Sequence, residues 1–172
     1  MAKQSVIVLD NPPLNQDAWA DEVFSLAKFP RVENDAIAQE MSKDAEAKPV
    51  LLQYAGNPVM HADKLAPHYK RALDKLHGTA PRIGLYGTAW VVYTQPVDAV
   101  VIDWSEVDKR ARDPKAADGS GEYFRQQSEA FVRGRVKQHV KPERVLELPL
   151  GLSQKEKVAQ TLAFLKKLGL VS

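Results

Sequence analysis

The sequence predicts a single α/β domain: a mixed sheet of five or six strands with helices on both faces, in the order β-α-α-β-α-β-β-α-β-α. Three observations lead there. Short runs rich in β-branched residues, Ser5–Leu9 and Val100–Ile102 among them, are apolar on both faces, as strands buried between two layers are. Longer segments with apolar residues three and four apart alternate with these runs. No repeat, low-complexity tract or linker divides the 172 residues, so residues 1–172 form one domain large enough to bury its own core.

The elements follow in order. Ser5–Leu9 is the first strand, and Asp10-Asn11-Pro12-Pro13 stops it because the prolines remove ladder donors. Asn15 or Asp17 caps a helix to about Phe29, with Trp19, Val23, Leu26 and Ala27 on one face. After Pro30, Asn34 or Asp35 caps a second helix to about Glu46, with Ile37 and Met41 as its apolar stripe. Val50–Tyr54 reads as a strand closed by Gly56-Asn57-Pro58. A helix then ends at His77, with Gly78 expected in a left-handed cap and Leu65, Tyr69, Leu73 and Leu76 inward.

Arg82–Trp104 is the most apolar stretch and reads as two central strands. Its four-residue turn Thr94–Val97 favours an antiparallel pair, since parallel neighbours need a longer crossover. Ser105–Asp108 begins a helical turn, and Arg110–Gly121 is a polar loop of the kind that often carries binding function. Ser120 caps a long helix, Glu122–Val140, with Phe124, Phe131, Val132, Val136 and Val140 inward; Gly134 in its middle suggests a close neighbour. Val145–Leu148 is the last strand. Ser153 and Glu156 form a capping box on a final helix that stops at Gly169.

Composition narrows function by exclusion. With 44% hydrophobic and 27% charged residues the chain is a folded globular protein. It has no cysteine, hence no thiolate nucleophile, disulfide or Cys-ligated metal. Neither a signal-peptide core nor a membrane span is visible, so a cytoplasmic protein without a membrane partner is expected. Residues 1–60 hold five Lys/Arg and nine Asp/Glu, and residues 61–172 hold nineteen and thirteen; the bias points to a basic binding face in the second part.

That face centres on residues 109–144, with ten Lys/Arg against five Asp/Glu. Lys109, Arg110, Arg112, Lys115, Arg125, Arg133 and Lys137, with Tyr123 beside them, are the candidate binding residues for phosphate groups. The leading expectation is a non-enzymatic binding or regulatory protein for nucleic acid, without a cofactor. Another protein is the alternative partner.

The enzymatic alternative uses the strand ends. Asp10, Asn57 and Asp103 each follow a predicted strand, and His61 lies near; parallel sheets bind ligands at that edge. Asp10 and Asp103 would then serve a phosphate-containing or nucleotide substrate, with Mg²⁺ as a possible cofactor. The histidines at 61, 68, 77 and 139 lack zinc-ligand spacing, so no zinc site is expected. Gly84-Leu85-Tyr86-Gly87-Thr88 lacks the lysine of a phosphate loop.

Overall fold

The computed structural model describes residues 3–54, 56, 60–94, 96–116 and 119–172. Its first strand, β1 (Ser5–Asp10), is followed by α1 (Ala18–Ala27), α2 (Asn34–Lys43), α3 (Ala47–Tyr54) and α4 (Ala62–His77). Then come β2 (Arg82–Tyr86), α5 (Trp90–Tyr93), β3 (Ala99–Asp103), α6 (Ser105–Ala111), α7 (Ser120–His139), β4 (Val145–Leu148) and α8 (Gln154–Lys167). The sheet has four strands among the described residues, in the order β2-β1-β3-β4, and every pairing is parallel. No helix among these residues is long and apolar enough to cross a membrane.

Strand pleating divides the core. Val6, Val8, Ile83, Leu85, Val100 and Ile102 face α2, α4, α5 and α7. Ile7, Leu9, Ala99 and Val101 face α1 and α8. The chain changes face at the β2 edge: Phe29 belongs to the second layer and Val32 to the first. In passing, Pro30–Val32 pairs with the strand, as Gly84 N–H donates to Pro30 O and Val32 N–H to Gly84 O, both at 2.9 Å. Gly84 admits the Phe24 ring from α1; a Cβ there would meet it at 2.5 Å.

Two expected strands are corrected. Val50–Tyr54 lies within α3, where Asp44 accepts from the backbone N–H of Glu46 and Ala47 and starts the turn. Pro49 falls at the third helical residue, before a backbone donor is required. Val50, Leu51 and Tyr54 pack on the core from one side, while Leu52 points to solvent. The predicted antiparallel pair in Arg82–Trp104 is also absent. Gly87, at φ 111°, ends β2, and Trp90–Tyr93 forms a helical turn instead of continuing the strand. The chain then passes to the far side of β1, so β2 and β3 flank it in parallel.

The sheet is therefore four-stranded and parallel, and the order is β-α-α-α-α-β-α-β-α-α-β-α. Smaller expectations also shift. Gly78 is right-handed, at φ −59°. Nothing lies within 4 Å of a Cβ built on Gly134. Phe131 and Leu26 are exposed. The polar segment 110–121 is divided between the end of α6, a 3-10 turn at Pro114–Ala116 and the start of α7.

Candidate functional site

In an open parallel sheet, strand ends offer backbone groups and side chains to a ligand where the strand order reverses. Here β1 lies between β2 and β3, so that edge gathers the residues after β1, β2 and β3. Asp10 and Asp103 both stand on it, each less than a tenth exposed. The register sets Asp10 beside Ile102, so Asp103, one residue on, projects from the opposite face. Each carboxylate has its own set of donors.

Asp10 faces α7. Its Oδ2 accepts from the backbone N–H and the hydroxyl of Thr88, both at 2.8 Å. Arg135 donates to the same hydroxyl at 3.3 Å and lies 4.3 Å above the Phe131 ring. Burial raises the Asp10 pKa above its ordinary value, against the lowering effect of the Thr88 hydrogen bonds and the Arg135 charge. The same burial lowers the pKa of Arg135.

Asp103 faces α8. Lys157 donates to its Oδ2 at 2.6 Å, Ser105 Oγ at 2.9 Å and Asn11 Nδ2 at 3.2 Å, while Ser105 N–H reaches Oδ1 at 3.0 Å. Asn11 also donates to Asp17 and accepts from Glu106 N–H, tying the loop after β1 to the start of α6. This fully buried carboxylate has one ammonium and three neutral donors around it. Among the described residues no group of three or more His, Asp or Glu side chains is arranged to hold a metal ion.

Beside Asp10 the edge opens into a cleft of about 560 Å³. One wall is aromatic: Tyr69 and Tyr93 stack at 4.6 Å, and Trp90 meets them edge-on at 5.8 and 6.2 Å. Tyr86 closes the β2 end. Its hydroxyl accepts from Asn11 N–H at 3.2 Å, and Arg31 lies 5.5 Å from its ring. Burial raises the pKa of all three tyrosines, that of Tyr93 to about 12, so they are neutral hydroxyls at physiological pH. The opposite rim is polar and includes Gln16 and the first turn of α2, where Asn34 and Asp35 are exposed.

Asp10 does not itself line the cleft. It fixes the Gly87–Ala89 turn that does, through Thr88, while Gly87 N–H donates to Leu9 O at 2.8 Å. His61 sits at the start of α4 with its ring 4.6 Å from that of Tyr54, and the donors around Asp10 and Asp103 described above do not include it. Asn57 lies outside the described residues.

The chain matches no protein-family model and no curated protein.

Four of the ten cations in the basic segment are ion-paired to described residues. Arg110 bonds Glu106 at 2.9 Å, Arg112 bonds Asp108 at 3.0 Å, and Arg125 bonds Asp108 at 2.9 Å and Glu122 at 3.1 Å. Arg133 bonds Glu129 at 2.6 Å and Glu147 at 2.7 Å, and lies 5.0 Å from the Trp104 ring. Lys109, Lys115 and Lys137 are exposed and make no ion pair with a described residue; Tyr123 is exposed as well. Of these partners, Glu122 and Glu129 lie within residues 109–144, whereas Glu106, Asp108 and Glu147 lie outside them and so escape a charge count over that run. The aromatic wall was hidden for another reason. Trp90 and Tyr93 read as part of a buried strand apolar on both faces, although their three-residue spacing also suits one face of a helical turn.

Proposed function

We propose that the protein binds a small ring-bearing ligand of the nucleoside class in the cleft at the ends of β1 and β2. The observation that carries this reading is the cleft itself: a concave site at the carboxyl edge of a parallel sheet, with Tyr69, Tyr86, Trp90 and Tyr93 on one side and amide and carboxylate groups on the other. Aromatic edges and faces suit a flat heterocycle, and Gln16, Asn34 and Asp35 suit its polar rim.

Charge narrows the class further. Arg31, the cation in the lining, is already bonded to Asp21 at 2.7 Å and paired with Glu33 at 3.3 Å. Asp35 makes no ion pair with a described residue. The lining thus favours a neutral or positively charged ring over a polyphosphate. Titration with adenosine, cytidine and ATP, followed by tryptophan fluorescence, tests this. Saturable binding of a nucleoside, tighter than that of ATP and weakened when Ala89→Leu narrows the cleft, is expected. No nucleoside response at millimolar concentration removes the reading.

A second reading keeps nucleic acid as partner, supported by the exposed Tyr123 and Phe131 on α7 and by the exposed Lys109, Lys115 and Lys137, which make no ion pair with a described residue. Aromatic side chains beside lysines can stack on bases while the ammonium groups contact phosphates. A salt-sensitive mobility shift with single-stranded oligonucleotides, reduced by Lys137→Glu, is the expected result. Its absence at micromolar protein would end this reading.

A further inference from the structure

A second concavity lies at the other end of the sheet. Beside Arg82, the first residue of β2, the end of α1 and the last turns of α8 enclose a groove of about 530 Å³. Leu26, Leu162 and Val171 give it an apolar floor, and Leu26 is 58% exposed. Lys28, Arg82 and Lys166 give it a cationic rim, which they share with the backbone carboxylate of Ser172, and no Asp or Glu side chain among the described residues lines it. Unlike Arg110, Arg112, Arg125 and Arg133, these three cations make no ion pair with a described residue.

Lys28 adds an independent observation. It caps α1 at φ 58° and ψ 45°, in the left-handed region, with its N–H directed to Phe24 O and Ser25 O. It is the only non-glycine residue with positive φ among the described residues. Glycine adopts this conformation without a Cβ penalty and is the usual residue at such a helix end. The cap therefore does not require a lysine. Its side chain instead reaches the groove, where an anion would meet it.

We propose that this groove binds an amphipathic carboxylate, with a hydrocarbon tail against Leu26, Leu162 and Val171 and an anionic head between Lys28, Arg82 and Lys166. Both halves of the ligand are specified by the lining: the tail covers exposed apolar surface, and the head meets three cations of which Arg82 donates to Ala27 O at 3.4 Å and lies 5.5 Å from the Phe29 ring, but none is ion-paired to a described residue. The volume falls within the range of small-molecule sites. The groove and the cleft lie at opposite ends of β2, so the two sites are separable by experiment.

The test is octanoate binding to the full chain, followed by amide chemical shifts, with acetate and 1-octanol as controls. Saturable octanoate shifts at Leu26, Leu162 and Val171, with weaker binding of both controls, are expected. Lys28→Gly should leave the melting temperature unchanged or raise it while weakening octanoate, because it relieves the backbone and removes one cation. Combining it with Lys166→Glu should weaken octanoate at least about tenfold, the loss expected for a charge-assisted contact. The proposal is overturned if octanoate gives no saturable shift at millimolar concentration, or if 1-octanol or acetate binds equally well. It is also overturned if the folded double variant keeps the wild-type affinity, or if an oligoglutamate peptide binds the groove and octanoate does not.

Discussion

Asp10 accepts two hydrogen bonds from Thr88, yet burial still holds its pKa above the ordinary 3.8. The folded state therefore binds this proton more tightly than the unfolded chain does. Stability from the group is complete below pH 3.8 and is lost as pH rises through the folded-state pKa. Asp10→Asn removes that loss, so the melting temperature of wild type relative to the variant should fall as pH rises above 3.8. Glu40, Asp44 and Glu156 are shifted downward and act with the opposite sign, but they are common to both proteins and cancel in the difference. A flat difference curve would show that the Asp10 proton has no part in folding. Gly84 offers a steric test at the same scale. Gly84→Ala drives a methyl into the Phe24 ring and should cost about 1–3 kcal/mol in denaturant unfolding.

At the scale of elements, α8 is tied to the sheet by the ion pair of Lys157 with the buried Asp103 as well as by packing. Its capping box is complete, as Ser153 and Glu156 predicted, and Val158 and Leu165 are buried on the expected face. The link to Asp103 was not legible, because Lys157 is one of several lysines on an amphipathic helix and only the fold sets it beside a buried carboxylate. Lys157→Met leaves that carboxylate without its cation and should cost about 3–5 kcal/mol. The double variant Asp103→Asn, Lys157→Met should recover part of the loss, as urea denaturation would measure. If the single change cost no more than a surface substitution, the pair would not be one of the ties that hold α8. For α3 and α5 the same local physics misled: a run of four or five apolar residues satisfies a strand and one face of a short helix equally well. In α3, Asp44 and the position of Pro49 decided the outcome; in α5, the positive φ of Gly87 did.

For the molecule as a whole, local patterns identified the class of fold but could not order the strands. β1, β3 and β4 were legible because their apolar runs are bounded by prolines, aspartates or glycines. Which strand pairs with which depends on contacts far apart in sequence, and the turn at Thr94–Val97 argued for the wrong neighbour. The cleft was illegible for the same reason, since residues from 14 to 93 meet there only after β2 has docked on β1. The two-sided core gives a prediction at this scale. Truncation after Leu148 removes α8 and uncovers part of the layer formed by Ile7, Leu9 and Val101. The shortened chain should bind 8-anilinonaphthalene sulfonate and lose its cooperative melt, whereas a native-like melt would show that α8 is dispensable.

The crossing at Pro30–Val32 also bears on self-association. It occupies the outer hydrogen-bonding side of β2 at Gly84, whereas β4 has no strand on its outer side among the described residues. Among the described residues β4 therefore offers the longer unpaired edge, and pairing between two β4 edges would join two copies into a closed pair, while further addition at β2 would have to displace the Pro30–Val32 crossing at Gly84.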